Sequence, residues 1–367
     1  MNEPINKADI AIVGAGMAGA SLAATLGKSA RVVMLEAEDV PGYHSTGRSA
    51  AFWSETYGGP TVQPLTTASF PFLQSGGFLG ERGAVHLAAS GDGKHLDSLE
   101  AEFAGRVRLD RLDRAMLETL IPGLRPDFDQ GLAEPTCRDI DVAGLHAHYL
   151  SEARRAGVDV RTNARLLSAE RGSGTWLLRT AAGDLRADIL VNAAGAWADP
   201  VALLAGQRPL GIAPLRRTMV QLAVDPGTRA DMPLVMDAAG SYYFKPEAGG
   251  RLWLSPHDET PIDPCDVAPE EIDVAKAIDR LEHVVDWSVV RKERAWAGLR
   301  SFAPDRVPVY GPAESGEGFF WFAGQGGFGI QTAPAAAAIG GALLLGKPLP
   351  ESLGATDPSR YHPRRFG

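Results

Sequence analysis

Asp9-Ile10-Ala11-Ile12-Val13-Gly14-Ala15-Gly16-Met17-Ala18-Gly19 is the stretch on which the fold turns. Asp9 to Val13 is a short β-branched run, the pattern of a buried strand. It enters Gly14-x-Gly16-x-x-Gly19, and the helix-forming run Ala20 to Leu26 follows. Arg31 to Leu35 is a second buried strand, with Glu36 and Ala37 at its end. Strand, glycine turn, helix, strand and acid together make a dinucleotide-binding unit. Gly14 makes the tight turn, Gly16 lets the backbone approach a pyrophosphate, and Gly19 lets helix and strand pack closely. The helix N-terminus, with Met17 and Ala18 in its first turn, offers amide donors to the phosphates. Glu36 stands where a carboxylate accepts the hydroxyls of an adenosine ribose, which disfavours a 2′-phosphate and so NADP. This unit alone leaves NAD and FAD both open.

The 367 residues suggest two domains, or one large domain with an insertion. Hydrophobic residues make up 45% and charged residues 22%, which excludes disorder and collagen-like order. The 36 Lys and Arg against 45 Asp and Glu give a net charge of −9, which argues against a nucleic-acid partner. Cys137 and Cys265 are far apart and form no CxxC, so neither a disulfide framework nor a metal cluster is expected. No run approaches the ~20 apolar residues of a transmembrane segment, and Met1 to Ala8 lacks the apolar core of a secretory leader. The compartment expected is the cytoplasm, with a peripheral place on the inner membrane left open.

Further along, Pro41 to Ala51 is dense in small and hydroxyl residues, as suits a loop lying along a phosphate or a ring edge. Asp188 to Trp197 is a buried strand ending in small residues. Phe319 to Ala323 is an apolar strand that enters Gly324-Gln325-Gly326-Gly327-Phe328-Gly329-Ile330-Gln331-Thr332, and the alanine-rich helix Ala335 to Leu345 follows. This second strand-to-helix junction aims another helix dipole, one that would stabilise negative charge on a reduced flavin.

Those segments, in that order, resemble the D-amino acid oxidase-like (DAO) superfamily of FAD-dependent amine and amino acid oxidoreductases. The loop Gly42 to Ala51, Trp296 to Phe302 and Tyr242 to Pro246 are similar to the bacterial D-amino acid dehydrogenase group that includes D-arginine dehydrogenase. The resemblance implies an α/β fold: a Rossmann-like FAD domain with a doubly wound sheet, and an α+β substrate domain whose antiparallel sheet covers the flavin. The FAD domain would be built from residues 1–80, 141–210 and 297–367, and the substrate domain from 81–140 and 211–296. Besides the glycine turn and Glu36, FAD would be held by Ser45, Thr46, Gly47, Arg48, Ser49 and Ala50. Leu166, Ala194, Gly195, Trp197, Gly298, Arg300, Gly326, Gly327, Gly329, Ile330, Gln331 and Thr332 would complete its site. Neither cysteine matches the family's covalent attachment point near the C-terminus, so FAD is expected to be dissociable.

On the substrate side, Arg300 matches the family's carboxylate-binding arginine and Arg217 a second one, though Arg216 is an equally placed neighbour. An arginine supplies the planar bidentate fork that a carboxylate anchor needs. Tyr57 and Tyr243 match tyrosines that hold the substrate over the flavin. Phe52 stands where the group typically has a histidine, and Gly83 where arginine-preferring members carry an acid. Glu81 is the residue that could substitute for it. His44 lies in the cofactor loop and is read as structural.

The resemblance implies hydride transfer from a D-amino acid, neutral or apolar in its side chain, to flavin N5. The imino acid product hydrolyses to a 2-oxo acid and ammonia. A glycine- or sarcosine-type secondary amine, a 2-hydroxy acid, and a nucleotide-binding regulatory role without turnover are the alternatives. The electron acceptor (quinone, oxygen or an artificial dye) and any homo-oligomer are left open by the sequence.

Overall fold

In the computed structural model, residues 7–367 are described, apart from positions 317 and 355. Two sheets organise them. The first has a parallel core in the order Phe319–Ala323, Leu185–Asn192, Lys7–Val13, Val32–Leu35, Asp159–Arg161. These strands are nearly all apolar, as parallel strands covered on both faces must be. Helices Met17–Leu26, Val142–Arg155 and Ala333–Leu345 cover one face of this sheet. The antiparallel strands Leu166–Gly172 and Thr175–Thr180 extend one end of it.

The glycine turn is a steric necessity. Gly14 has φ +101°, and a methyl group there would lie 2.4 Å from the Ala193 carbonyl oxygen. At Gly19 the clash would be worse, 1.9 Å from the carbonyl oxygen of Gly14. Helix and strand therefore touch backbone to backbone, and no neighbouring side chain can yield to relieve the overlap.

The second sheet has ten strands among the described residues. Its longest pair, Ala213–Asp225 and Ser288–Phe302, lies near one end of the sheet and is antiparallel, and so are all its other pairings except Ala84–Ala88 with Leu234–Asp237, which is parallel. The domain boundary expected at 297 falls inside the Ser288–Phe302 strand, whose last six residues pair with Ala213–Thr218. Gln325–Gly326 adds itself to the edge of that strand at Ser301 and Phe302. The second glycine-rich segment is thus hydrogen-bonded to the covering sheet, and the two sheets meet there. A small third sheet, Phe52–Trp53 with Arg138–Ile140 and Leu79–Glu81, ties the two parts together again. No helix among the described residues is long and apolar enough to cross a membrane.

Gly19→Ala should destabilise the protein by about 1–3 kcal/mol or more, the usual range for overpacking with no room to relax. A thermal melt checks this, and a midpoint equal to wild type would contradict the steric account.

Candidate functional site

The first parallel strands end at a cavity of about 420 Å³ between the two sheets. Its floor is Gly14, Gly16, Met17 and Ala18, and Glu36 and Ala37 close one end. Glu36 is buried, and its carboxylate accepts from the amides of Ala15 (2.9 Å) and Glu38 (3.1 Å). Those bonds fix the carboxylate beside the turn with lone pairs to spare for ribose hydroxyls. Ser45, Thr46 and Ser49 line the middle, facing Leu166, Ala194, Gly195 and Trp197. Arg300, Gly326, Gly327, Gly329 and Ile330 line the far end. An elongated, glycine-floored cleft with an acid at one end and an arginine at the other suits FAD, and neither cysteine lines it.

Several expected cofactor residues lie outside that lining, each for a visible reason. Gly19 packs beneath Gly14. Gly47 closes its loop by donating to the Gly42 carbonyl (2.8 Å). Arg48 turns away to pair with Asp266 and donates to the Val267 carbonyl (2.8 Å), so it ties the loop to the other domain. Ala50 packs with Phe52, Met219 and Tyr243, and Gly298 backs onto Arg48. Gln331 donates to the Tyr57 carbonyl (3.0 Å) and accepts from the Ser54 amide (3.1 Å). Thr332 bonds the Phe328 carbonyl, so both residues support the wall from behind. His44 lines the cavity while its ring bonds Glu38 (3.1 Å).

Strand alternation decides which arginine shares a face with Arg300, although Arg217, like Phe52, Tyr57 and Tyr243, stands behind the cavity lining. Arg217 pairs with Gly298 and Leu215 with Arg300, so Arg217 and Arg300 are diagonal neighbours across the longest strand pair. Arg216 points to the opposite face, where Asp273 (2.9 Å) and Glu270 hold it. Tyr243 and Met219 lie on the same side as Arg217, the tyrosine hydroxyl donating to Met219 Sδ (3.1 Å). Phe52 packs between Tyr57 (5.2 Å) and Tyr243 (5.9 Å), and Phe328 closes on Tyr57 (5.3 Å). A methyl group at Gly327 would lie 2.2 Å from the Tyr57 hydroxyl, so the glycine is what admits that ring.

The electrostatics of this end are lopsided. Arg300 is 7% exposed and its guanidinium has no hydrogen-bonded acceptor among the described residues. Burial lowers its pKa, with Arg217 adding to the effect and Tyr243 opposing it. Arg217 is 1% exposed. Burial works against its charge, but Tyr57, Tyr243 and Glu259 outweigh that and raise its pKa. Glu259 accepts from Arg217 Nη2 at 3.0 Å, while Nη1 is buried without a partner. Glu259 is shared with Arg306 (2.7 Å), and Asp258 lies near enough to favour the charge on both arginines.

Sequence reasoning missed His257. It follows Ser255-Pro256 at a strand end, has φ +52°, and sets its ring edge-on to Tyr243 at 5.7 Å. Nδ1 donates to the Gly240 carbonyl (2.5 Å), which leaves Nε2 an acceptor. Burial, then Arg217, push its pKa down to about 4. The polar run His257-Asp258-Glu259 directly after an apolar strand was the available signal.

Glu134 was missed too. It is fully buried and accepts from Ser54 Oγ (2.9 Å), the Glu55 amide (2.7 Å) and Thr56 Oγ1 (2.6 Å), fixing the turn that carries Tyr57. Glu81, the residue that could have substituted for the missing acid, is turned away from the pocket. Its side chain is 88% exposed and faces Arg138 at 3.4 Å, while Gly83 borders open space.

A histidine held neutral costs stability in acid. As pH falls from 6.5 towards 4, the unfolded chain takes up a proton that folded His257 refuses. Stability should therefore fall more steeply over that window in wild type than in His257→Phe. Urea melts at several pH values check this, and parallel curves would refute it.

The DAO family of FAD-dependent oxidoreductases matches residues 9–342. Rat mitochondrial dimethylglycine dehydrogenase is 26% identical over 97% of this chain and 45% of its own length. Glycine oxidase of Pseudomonas aeruginosa is 27% identical over 66% of this chain and 64% of its own. The chain thus spans about half the length of the first of these curated relatives. Among solved structures, glycine oxidase from Geobacillus kaustophilus superposes with a TM-score of 0.84 at 22% identity, covering 97% of this chain and 98% of that one. These relatives support the family without singling out D-amino acid dehydrogenases. With its glycine turn, its cleft and its match over residues 9–342, the chain belongs to the DAO family of FAD-dependent oxidoreductases.

Proposed function

We propose that this protein oxidises the Cα–N bond of a small amino acid with an uncharged side chain, a D-amino acid before others. The single observation that carries the reading is Arg300, a buried guanidinium without an acceptor at the end of the FAD cleft. A charge left this way costs several kcal/mol unless a ligand pairs with it, and a substrate carboxylate would satisfy its fork. Arg217 Nη1 offers a second donor beside it.

FAD, when bound, supplies the two-electron acceptor for the hydride. Holding it falls to Glu36 at the ribose and to the backbone of Gly14 to Ala18 at the phosphates. Arg300 and Arg217 fix the carboxylate and so orient the Cα–H bond. Phe52, Tyr57 and Tyr243 form an aromatic wall for the side chain and exclude water. His257, edge-on to Tyr243, keeps a lone pair on Nε2. No free carboxylate stands in this wall, since Glu81 faces solvent and Glu259 is taken by Arg217. A cationic side chain would lose its hydration without gaining a partner. An N-alkylglycine is the second reading, favoured by the likeness to dimethylglycine dehydrogenase and glycine oxidase.

Anaerobic bleaching of the flavin with D-methionine, D-leucine, D-phenylalanine, D-arginine, glycine and sarcosine tests the reading. The apolar D-amino acids should reduce the flavin fastest. Preference for D-arginine would refute the uncharged side chain, and activity confined to glycine and sarcosine would establish the second reading. Arg300→Ala should lose about 2–5 kcal/mol of transition-state binding with FAD retained, and Arg300→Lys should recover only part of it. Heat precipitation should release all the yellow chromophore. Glu36→Ala should weaken FAD binding by about 1–3 kcal/mol in reconstitution titrations.

A further inference from the structure

Helix Val142–Arg155 buries a stripe of Leu145, His146, Tyr149, Leu150 and Ala153 against the glycine turn and its helix. A histidine in such a stripe is costly unless its ring is hydrogen-bonded. The partner of His146 is the Ala15 carbonyl, 2.8 Å from Nε2. A carbonyl only accepts, so the ring proton sits on Nε2. Burial holds the pKa of His146 below its ordinary value, against the opposing pull of the Ala15 bond and Glu36. The ring is therefore a neutral, single donor near pH 7.

Ala15 is the middle residue of the turn, and side chains from elsewhere hold both of its backbone groups. Its amide donates to Glu36 (2.9 Å), and its carbonyl accepts from His146. The Met17 amide is held as well, by Thr46 Oγ1 (2.9 Å). Between them, the Gly16 amide donates to nothing among the described residues. In a trans peptide the C=O and N–H point opposite ways. Holding the Ala15 carbonyl on the ring thus aims the Gly16 N–H away from the helix Val142–Arg155. Gly16 lines the cofactor cleft, and His146 stands behind it.

The cofactor loop closes on the other side of the ring. A methyl group on Gly42 would lie 2.7 Å from His146 Cε1 and 3.0 Å from Nδ1. His146 is wedged between Ala15 and Gly42, so the imidazole sets the spacing of turn and loop. It also borders a second cavity, of about 950 Å³, on the other side of the Pro41–Ala51 loop from the cofactor cleft.

We propose that His146 is a positioning residue for the FAD pyrophosphate, acting through the Ala15 carbonyl to hold the Gly16 N–H toward a phosphate oxygen. Bulk alone does not do this. A leucine would fill the space, but it would leave the Ala15 carbonyl buried and unpaired and the peptide plane unheld. The proposal needs the cofactor and neither of the substrate readings, so a failed substrate panel leaves it standing.

Titration of apoprotein with FAD, followed by flavin fluorescence, tests it. His146→Leu should weaken FAD binding roughly 10- to 100-fold. His146→Gln, whose side-chain amide can reach the same carbonyl, should recover most of that loss. Phosphorus NMR of the bound FAD should show the pyrophosphate resonances displaced in His146→Leu and returned in His146→Gln, a change that a packing role would not produce. His146→Ala opens the place of the ring to the second cavity and serves if the leucine variant does not fold. Imidazole in solution should restore its FAD affinity, whereas thiazole, of similar size but without an N–H, should not. Wild-type affinity in His146→Leu, no recovery in His146→Gln, or equal rescue by thiazole would each overturn the proposal.

Discussion

A guanidinium buried without a counter-ion is among the more costly things a fold can hold, and Arg300 sets the terms for its surroundings. It is held in place because the strand carrying it is paired along its length with Ala213–Asp225. Arg217 on that partner strand adds a second positive charge, which Glu259 and Asp258 offset, although Glu259 is shared with Arg306. The result is a buried end to the cleft at which Arg300 itself has no hydrogen-bonded acceptor among the described residues. The proposed function places a small carboxylate there, since an anion would restore what burial removed.

Rigidity around that charge comes from both domains at once. The Ser54–Tyr57 turn is gripped by Glu134 from the covering sheet and by Gln331 from the segment leading into the last helix. Gln325–Gly326 extends the covering sheet at Ser301–Phe302, immediately beside Arg300. Cofactor cleft and substrate wall are therefore built from shared pieces. A change in either grip would move Tyr57 relative to the arginines without touching the cofactor's phosphate end.

The loop from Pro41 to Ala51 has two faces with different work. Its hydroxyls line the cofactor cleft, while Gly47 and Ala50 turn toward the second cavity. Arg48 fastens it to Asp266 and Val267 across the domain boundary. Small residues are what permit this arrangement, because bulk on either face would fill one of the two spaces.

Local sterics made the cofactor unit legible from sequence. Gly14, Gly19 and Glu36 stand within one strand–helix–strand run, so each position's need follows from its immediate neighbours. The apolar strands and the alanine-rich last helix were legible for the same reason, although that helix begins at Ala333, two residues before the sequence reading places it. The choice between Arg216 and Arg217 was not, because two adjacent residues on a strand face opposite ways and only the pairing with Ser288–Phe302 fixes the phase. Glu81 illustrates the same limit, for its strand's place at an edge turned the side chain to solvent. His257 and Glu134 gain their meaning from Tyr243 and from the Ser54–Tyr57 turn, which lie far from them in sequence or on other strands. Sequence by itself determined the cofactor-binding frame, whose constraints are short-range. The polarity of the substrate end was decided by tertiary structure, because it depends on which buried charges find partners across the sheet.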